Sequence, residues 1–136
     1  MRAKHFTLQE AESLLPRLRD LLPELQARKR SLDEMQARLA DFGEKLSGNG
    51  HMSGGGDAAL RRQVQEEADA LEALLEQLNQ LGCEIKDFDL GLVDFRTIRG
   101  GREVYLCWKL GEDSIQWWHD LESGFGGRRP LDEIEP

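Results

Sequence analysis

Apolar residues recur at alternating spacings of three and four over the first third of the chain. The pattern runs from Leu14 to Leu46, and this spacing is typical of the apolar face of a helix that packs on another helix. It predicts one long helix over about 8–46. We expect that helix to be kinked or briefly broken near Pro16, Pro23 or both, because proline lacks a backbone donor and clashes with the preceding turn.

The start of this helix carries a specific signal. Thr7 and Glu10 have the T-x-x-E spacing of a capping box, in which each side chain accepts a hydrogen bond from a free backbone N–H of the other residue. The sequence therefore predicts that the helix begins just after Thr7.

A second helix is predicted after a glycine-rich segment. SGNGHMSGGG (47–56) contains five glycines and is typical of a flexible loop. Apolar residues then recur at helical spacing from Leu60 to Leu81, and Gly82 is placed to end the helix. Residues 1–82 are thus interpreted as a helical hairpin with a tip loop at 47–56.

Folding the two helices back symmetrically about the loop predicts which side chains face each other. Leu32 then meets Leu71 and Leu39 meets Val64. Arg28 and Glu67 also occupy apolar-face positions, but in this register they are not opposite each other, so no buried ion pair is predicted and both are expected at the solvated edges of the helix pair.

The chain beyond Gly82 changes from helical to strand-like patterning. Three segments rich in β-branched and aromatic residues alternate with glycine-bearing turns: 83–88, 91–98 and 102–110. The Gly-Gly turn between the last two indicates a β-hairpin. Residues 115–120 fit either an edge strand or a short helix, and the tail from 121 to 136 is expected to be irregular.

Together these elements predict the α+β class. We expect a long antiparallel helical hairpin, similar to a coiled coil, packed at its base on a small antiparallel β-sheet formed by residues 83–136. The first turns of the N-terminal helix extend past the end of the second helix, so they must bury their apolar face on the sheet. The 136 residues would then form one structural domain.

Composition narrows the classes of function. The net charge of −8 disfavours binding along a phosphate backbone, which requires clustered Lys and Arg, and no nucleic-acid partner is expected. No apolar run reaches the length of a membrane span, and the N-terminus lacks the apolar core of a signal peptide. We therefore expect a cytoplasmic protein without a membrane partner, with Cys83 and Cys107 as free thiols.

Four segments of the chain carry a family resemblance. FTLQEAESLLP, CEIKDFDLGLVDF, GREVYLCWKLGE and WWHDLESGFGGRRPL resemble a bacterial family of uncharacterised proteins, domain-of-unknown-function family 2203. The resemblance covers nearly the whole chain apart from the loop at 47–56. It implies a small bacterial cytoplasmic protein, but it brings no established activity, cofactor or catalytic residue.

A transition-metal site is one candidate for the chemistry of this chain. The residue types that bind such metals are Cys107, His119, Asp120 and Glu122, with Asp87, Asp89 and Asp94 nearby in sequence, although no spacing matches a known zinc signature. The ligands favoured among them are His119, Asp120, Glu122 and Asp94. No cofactor is predicted, and a divalent transition metal remains the open alternative. The competing interpretation is that His119 makes a structural hydrogen bond and that the carboxylates are solvated.

Two catalytic hypotheses also remain open at this point. Cys107 with His119 and an acidic residue would form a nucleophilic trio, although a cysteine in a YLCW strand is more often a buried apolar residue. Hydrolysis by two paired carboxylates, drawn from Asp87, Asp89 and Asp94, needs a defined distance between the two carboxyl groups, which the sequence does not give. Catalytic residues therefore stay unassigned.

Aromatic and cationic residues in the last quarter suggest a surface for a partner. Trp117 and Trp118 are adjacent, so on a strand one of them faces away from the core. An exposed tryptophan beside Arg128 and Arg129 would suit a protein partner or an anion. We therefore favour a non-enzymatic binding or assembly module, acting as a homodimer or with a protein partner, over a metal-binding protein or metal-dependent enzyme.

Overall fold

The computed structural model describes residues 4–49 and 54–131, with side chains described for 4–42 and 58–131. Within these ranges the chain forms helices first and then strands, so the predicted α+β class is confirmed. The helices are α1 (Leu8–Ser13), α2 (Leu15–Asn49) and α3 (Gly54–Leu81). The strands are β1 (Glu84–Asp87), β2 (Leu92–Arg99), β3 (Arg102–Lys109), β4 (Trp117–His119) and β5 (Arg129–Pro130).

The capping box that starts α1 is present as predicted. The Glu10 backbone N–H donates to Thr7 Oγ1 at 3.0 Å, and the Thr7 backbone N–H donates to Glu10 Oε1 at 2.8 Å. These two bonds satisfy backbone donors that have no partner within the helix.

The long helix predicted over 8–46 is two helices. The helical run is broken at Leu14, and α2 begins at Leu15. Pro16 explains the break, because it has no N–H for the carbonyl four residues back but fits the first turn of a new helix. Pro23 lies inside α2 without ending it.

Both long helices extend into the segment predicted as a loop at 47–56. α2 continues to Asn49 and α3 begins at Gly54, while residues 50–53 lie outside the described residues. α3 ends where the sequence predicts, before Gly82, whose φ of +87° is left-handed backbone that a residue with a Cβ rarely adopts. Among the described residues, no helix has the length and apolar character needed to cross a membrane.

The five strands form one antiparallel sheet in chain order. The predicted hairpin between β2 and β3 turns at Gly100 and Gly101, whose φ values of +58° and +76° fit a two-residue type I′ turn. The segment at 115–120, which the sequence allows to be either an edge strand or a short helix, contains the strand β4. The tail expected to be irregular contributes β5, which pairs with β4 through Trp117 opposite Pro130.

The described chain divides into two compact units, the first comprising the chain up to Leu22 and from Gln77 onward. In this unit α1 and the start of α2 cover one face of the sheet. The Phe6 ring meets the Phe95 ring edge-on at 5.4 Å between centroids, and the Glu12 carboxylate accepts the Ile115 backbone N–H at 3.1 Å. Ala11, Leu15 and Leu18 of these first turns are buried, as expected for an apolar face turned away from solvent.

The second unit, Pro23–Glu76, contains most of α2 and most of α3. Arg28 Nη1 lies 3.3 Å from Glu67 Oε1, and Arg28 Nε lies 3.3 Å from Glu24 Oε2. Arg28 and Glu67, which the predicted register does not place opposite each other, therefore form an ion pair, with side chains 37% and 17% exposed. In the predicted register Arg28 lies opposite position 75, which is eight residues or roughly 12 Å along a helix from Glu67. The contact therefore requires either that both long side chains extend along the helices toward each other or that the register differs from the symmetric one.

Candidate metal centre

The sheet places polar and titratable side chains on the face opposite the helices. Directly paired residues share a face and neighbours along a strand alternate. Phe95 and Leu106 are paired on the helix-covered face, whereas Asp94 and Cys107 are paired on the other. His119 joins the second face because it is paired with Tyr105 on β3. Buried polar groups are more informative than exposed apolar ones, and Asp94 and His119 are each 2% exposed.

Asp94, Cys107 and His119 converge at the centre of this polar face. A carboxylate oxygen, the Cys107 Sγ and a ring nitrogen all lie within 4.8 Å of one another. The three side chains come from β2, β3 and β4, so the cluster depends on strand pairing and on no local sequence motif. A search of the described residues for three or more His, Cys, Asp or Glu side chains that could hold one metal ion finds this cluster.

Both ring nitrogens of His119 face oxygen atoms. Nδ1 lies 2.7 Å from the Asp120 carbonyl oxygen, and Nε2 lies 2.9 Å from Asp94 Oδ2. A carbonyl oxygen only accepts, so Nδ1 carries a proton and donates it. The proton between Nε2 and Asp94 can then belong to either group. On Nε2 it gives a charged imidazolium–carboxylate pair, and on Asp94 it gives a neutral imidazole that accepts a hydrogen bond from a protonated carboxyl.

The second oxygen of Asp94 is unusual for a buried carboxyl. Oδ1 is buried and has no hydrogen-bond partner among the described residues. Burial raises the pKa of the Asp94 carboxyl above its usual range, although the charge and hydrogen bond of His119 and a hydrogen bond with the Cys107 thiol act in the opposite direction. The Asp94 carboxyl therefore interacts with both other members of the cluster, and its second oxygen, which has no hydrogen bond of good geometry among the described residues, is available to an ion.

Cys107 lies against a cation that is itself held in place. Arg128 Nε is 3.3 Å from Cys107 Sγ, and the guanidinium donates to both carboxylate oxygens of Glu112 at 2.8 and 2.7 Å. The Arg128 guanidinium also lies over the rings of Trp117 and Phe125, at 5.3 and 4.7 Å from their centroids. Burial raises the pKa of the Cys107 thiol to about 12 despite the opposing effect of Arg128, so without a metal this residue is a neutral thiol.

A hydrogen-bonded network borders the cluster on its other side. The Tyr105 ring lies 5.3 Å from the His119 ring, and its hydroxyl donates to Glu84 Oε1 at 2.8 Å. Glu84 also accepts from Lys86 and Arg96, each at 2.8 Å. Burial alone would raise the pKa of Glu84, but these three hydrogen bonds outweigh it and lower the pKa below its usual value. The polar face therefore carries a fixed arrangement of charges around a buried centre.

The structure brings together two of the four predicted metal ligands. Asp94 and His119 are in hydrogen-bond contact, and Cys107 completes the cluster. The Asp120 carboxylate instead lies 3.2 Å from Arg102, because neighbouring residues on a strand point to opposite faces. Glu122 is exposed in the turn after β4 and is not part of the cluster.

The four residues predicted as one partner-binding surface are divided between the two faces. Trp117 and Arg128 stack together on the polar face, where Arg128 is 12% exposed. Trp118 and Arg129 are directly paired on the helix-covered face, where Trp118 is 3% exposed and Arg129 is exposed. The strand alternation that separates the tryptophans thus also separates the two arginines.

Fold and site together define an α+β protein whose antiparallel sheet buries an Asp–Cys–His cluster with its candidate ligand atoms within 4.8 Å of one another. The chain matches the family described as "Uncharacterized conserved protein (DUF2203)" over residues 4–131, and it belongs to that family. No curated protein and no solved structure matches the chain.

Proposed function

We propose that this protein binds a divalent transition metal through Asp94, Cys107 and His119. The observation that carries the proposal is the convergence of three different ligand atoms within 4.8 Å in a buried position. Metal–ligand bonds of about 2.0–2.3 Å place the ligands of one ion roughly 3–4 Å apart, so small side-chain rotations bring all three atoms to coordination distance.

The set of donor atoms favours zinc among common metals. Zinc accepts thiolate, imidazole and carboxylate ligands, whereas calcium and magnesium prefer oxygen alone. The hydrogen bond from His119 Nδ1 to the Asp120 carbonyl leaves Nε2 to face the cluster, and this is the usual support of a histidine that binds a metal. Three protein ligands leave a fourth position for water or substrate, which is the arrangement of catalytic rather than structural zinc sites.

Metal content of the purified protein tests the proposal. Tag-free wild-type protein is dialysed against zinc or cobalt and measured by elemental analysis, beside the variants Asp94→Asn, Cys107→Ser and His119→Ala. The expected result is one metal per chain in the wild type and loss of that metal in the His119 variant. Cobalt should also show a thiolate charge-transfer absorption band that Cys107→Ser removes.

Matched controls exist within the chain. Cys83 is a buried cysteine outside the cluster, and His5 is a histidine that contacts Glu103. Cys83→Ser and His5→Ala should therefore bind metal like the wild type. Absence of stoichiometric metal in the wild type, or retention of the metal in His119→Ala, would refute the proposal.

We propose assembly through the long helices as a second function. In the second unit, Leu25 and Leu74 are the buried apolar residues among the described side chains. Several other apolar residues at helical spacing remain partly exposed: Leu32, Met35, Leu39, Val64 and Leu71. In this proposal α2 and α3 form the long antiparallel hairpin expected from the sequence, and a second copy of the chain covers the partly exposed apolar residues, since a two-helix hairpin buries little area per residue.

Light scattering on the full chain tests the assembly proposal. The wild type is expected to be a dimer, and Leu32→Glu with Leu39→Glu should convert it to a monomer that remains helical. Ala37→Glu places the same charge at an exposed position of α2 and should leave the dimer intact. A monomeric wild type at all accessible concentrations would contradict assembly and leave the metal proposal unaffected.

A further inference from the structure

Two arginines stack on one buried tryptophan on the helix-covered face of the sheet. The guanidinium carbons of Arg129 and Arg102 lie 5.3 and 5.9 Å from the centre of the Trp118 ring. The indole is buried, whereas the Arg102 side chain is 63% exposed and Arg129 is exposed. The two cationic centres are therefore held on a common support and face solvent within about 11 Å of each other.

The β2–β3 hairpin adds a third arginine to this end of the sheet. Arg99 is directly paired with Arg102, and like charges directly opposite each other destabilise an antiparallel pair. The intervening turn consists of Gly100 and Gly101, and apart from their chain neighbours no atom of the described residues lies within 4 Å of where their Cβ atoms would be. The glycines thus leave the approach to the arginines open.

The positive charge of Arg102 and Arg129 is compensated only in part. Asp120 Oδ1 lies 3.2 Å from Arg102, and among the described residues no carboxylate lies within ion-pair distance of Arg129. The whole chain carries a net charge of −8, so a local excess of arginine runs against the overall composition. A bound anion would offset the repulsion between these arginines.

We propose that Arg102, Arg129 and the neighbouring Arg99 form a binding site for a small molecule that carries a phosphate group. The planar guanidinium donates two parallel hydrogen bonds to phosphate oxygens, and stacking on an aromatic ring fixes its plane in advance. Three arginines match one or two phosphate groups, and the acidic surface of the rest of the chain repels a long polyanion such as nucleic acid. The site lies on the opposite face from the metal centre and does not depend on it.

Tryptophan fluorescence of the full chain gives a direct measurement of binding. Inorganic phosphate and pyrophosphate are titrated separately in a phosphate-free buffer of low ionic strength, and chloride at matched ionic strength provides the reference. We expect a saturable change in emission from Trp118 and tighter binding of pyrophosphate than of phosphate. Trp118→Phe should abolish the optical change, while binding measured by calorimetry persists.

Removal of single arginines tests which side chains bind. Arg102→Gln and Arg129→Gln should each weaken binding about tenfold or more, the effect of losing one charge-assisted hydrogen bond. Arg30→Gln removes the same charge from an exposed position of α2 and should have no effect beyond that of ionic strength. A wild-type response equal to that of chloride, or equal weakening by all three variants, would overturn the proposal.

Discussion

Replacement of Glu112 by glutamine tests whether the ion pair beside Cys107 is a built part of the fold. Glu112 accepts two hydrogen bonds from Arg128, at 2.8 and 2.7 Å, and one from the Lys109 backbone N–H at 2.7 Å. The side chains of Arg128 and Glu112 are 12% and 26% exposed. Glu112→Gln keeps the size of the side chain but leaves the arginine charge without a counter-charge among aromatic rings.

The expected loss of stability follows from this partial burial. Breaking a fully buried pair costs about 3–5 kcal/mol and removing an exposed one costs about 0–1 kcal/mol, so an intermediate value of about 2 kcal/mol applies to Glu112→Gln. For a chain of this length the midpoint of thermal unfolding should fall by about 6–10 °C. Circular dichroism at pH 7 measures it on metal-free protein.

Asp33→Asn is the matched control for this experiment. Asp33 pairs with Lys29 across 3.5 Å on α2, where the two side chains are 62% and 43% exposed. Removal of this carboxylate should change stability by no more than about 0.5 kcal/mol. Equal effects of Glu112→Gln and Asp33→Asn would refute the argument that Arg128 is held in a desolvated position.

The pH dependence of the same variant provides a second check. Burial alone would raise the pKa of Glu112, but the hydrogen bonds and charges of Arg128 and Lys109 outweigh it and lower the pKa from the ordinary value of 4.5. A lowered pKa in the folded state stabilises the protein above the unfolded-state value, and this contribution is lost as pH falls through the folded-state value. The stability difference between wild type and Glu112→Gln should therefore be constant near neutral pH and shrink below about pH 4.5.

Three further predictions concern reactivity, register and turn geometry. Burial raises the pKa of Cys107 to about 12, against 9.0 for an ordinary thiol. Cys107 should therefore react with iodoacetamide about 1,000-fold more slowly at pH 8 in native than in unfolded protein. Fast labelling of the native protein, measured by mass spectrometry, would contradict its burial. Cysteines placed at Leu32 and Leu71 should cross-link under mild oxidation if the symmetric register holds, and failure while the protein stays helical would favour a shifted register. Gly101→Ala should lower stability by about 1–2 kcal/mol because of its positive φ, whereas Gly126→Ala, at a position with equally open space and no positive φ, should be neutral in the same denaturation assay.

Local signals in the sequence were sufficient for much of the secondary structure. The capping box at Thr7, the glycine at the end of α3 and the Gly-Gly turn each act within a few residues, and each occurs where it was predicted. The sequence predicts a kink or break near Pro16, near Pro23 or near both, because a proline at either position removes a similar hydrogen bond. Which one interrupts a helix depends on packing that a linear pattern does not contain.

The metal centre depended on information of a different kind. Asp94, Cys107 and His119 could all be named from residue type, but only the pairing of Cys107 opposite Asp94 brings the thiol to the carboxylate, and this pairing requires the register of β2 against β3. Once the Gly-Gly turn is accepted, that register could have been counted outward from Arg99 and Arg102, so a usable signal was present. The separation of the adjacent residues at 117–118 and at 128–129 could be predicted in a similar way, because successive side chains along a strand point to opposite faces of the sheet.

The last prediction separates a structural from a functional origin of the Asp94–His119 pair. A buried ionisable pair stabilises a fold less than apolar residues of similar volume, but removal of one partner leaves the other unsatisfied. Asp94→Val alone should therefore destabilise the metal-free protein by about 1–3 kcal/mol, since His119 Nε2 loses its partner. The double variant Asp94→Val with His119→Leu removes both polar groups and should unfold at or above the wild-type temperature while no longer binding metal. If the double variant is instead less stable than either single variant, the Asp94–His119 pair stabilises the contact between its strands and its role is structural. A double variant that is stable but binds no metal leaves metal binding as the reason for burying two polar groups in the sheet.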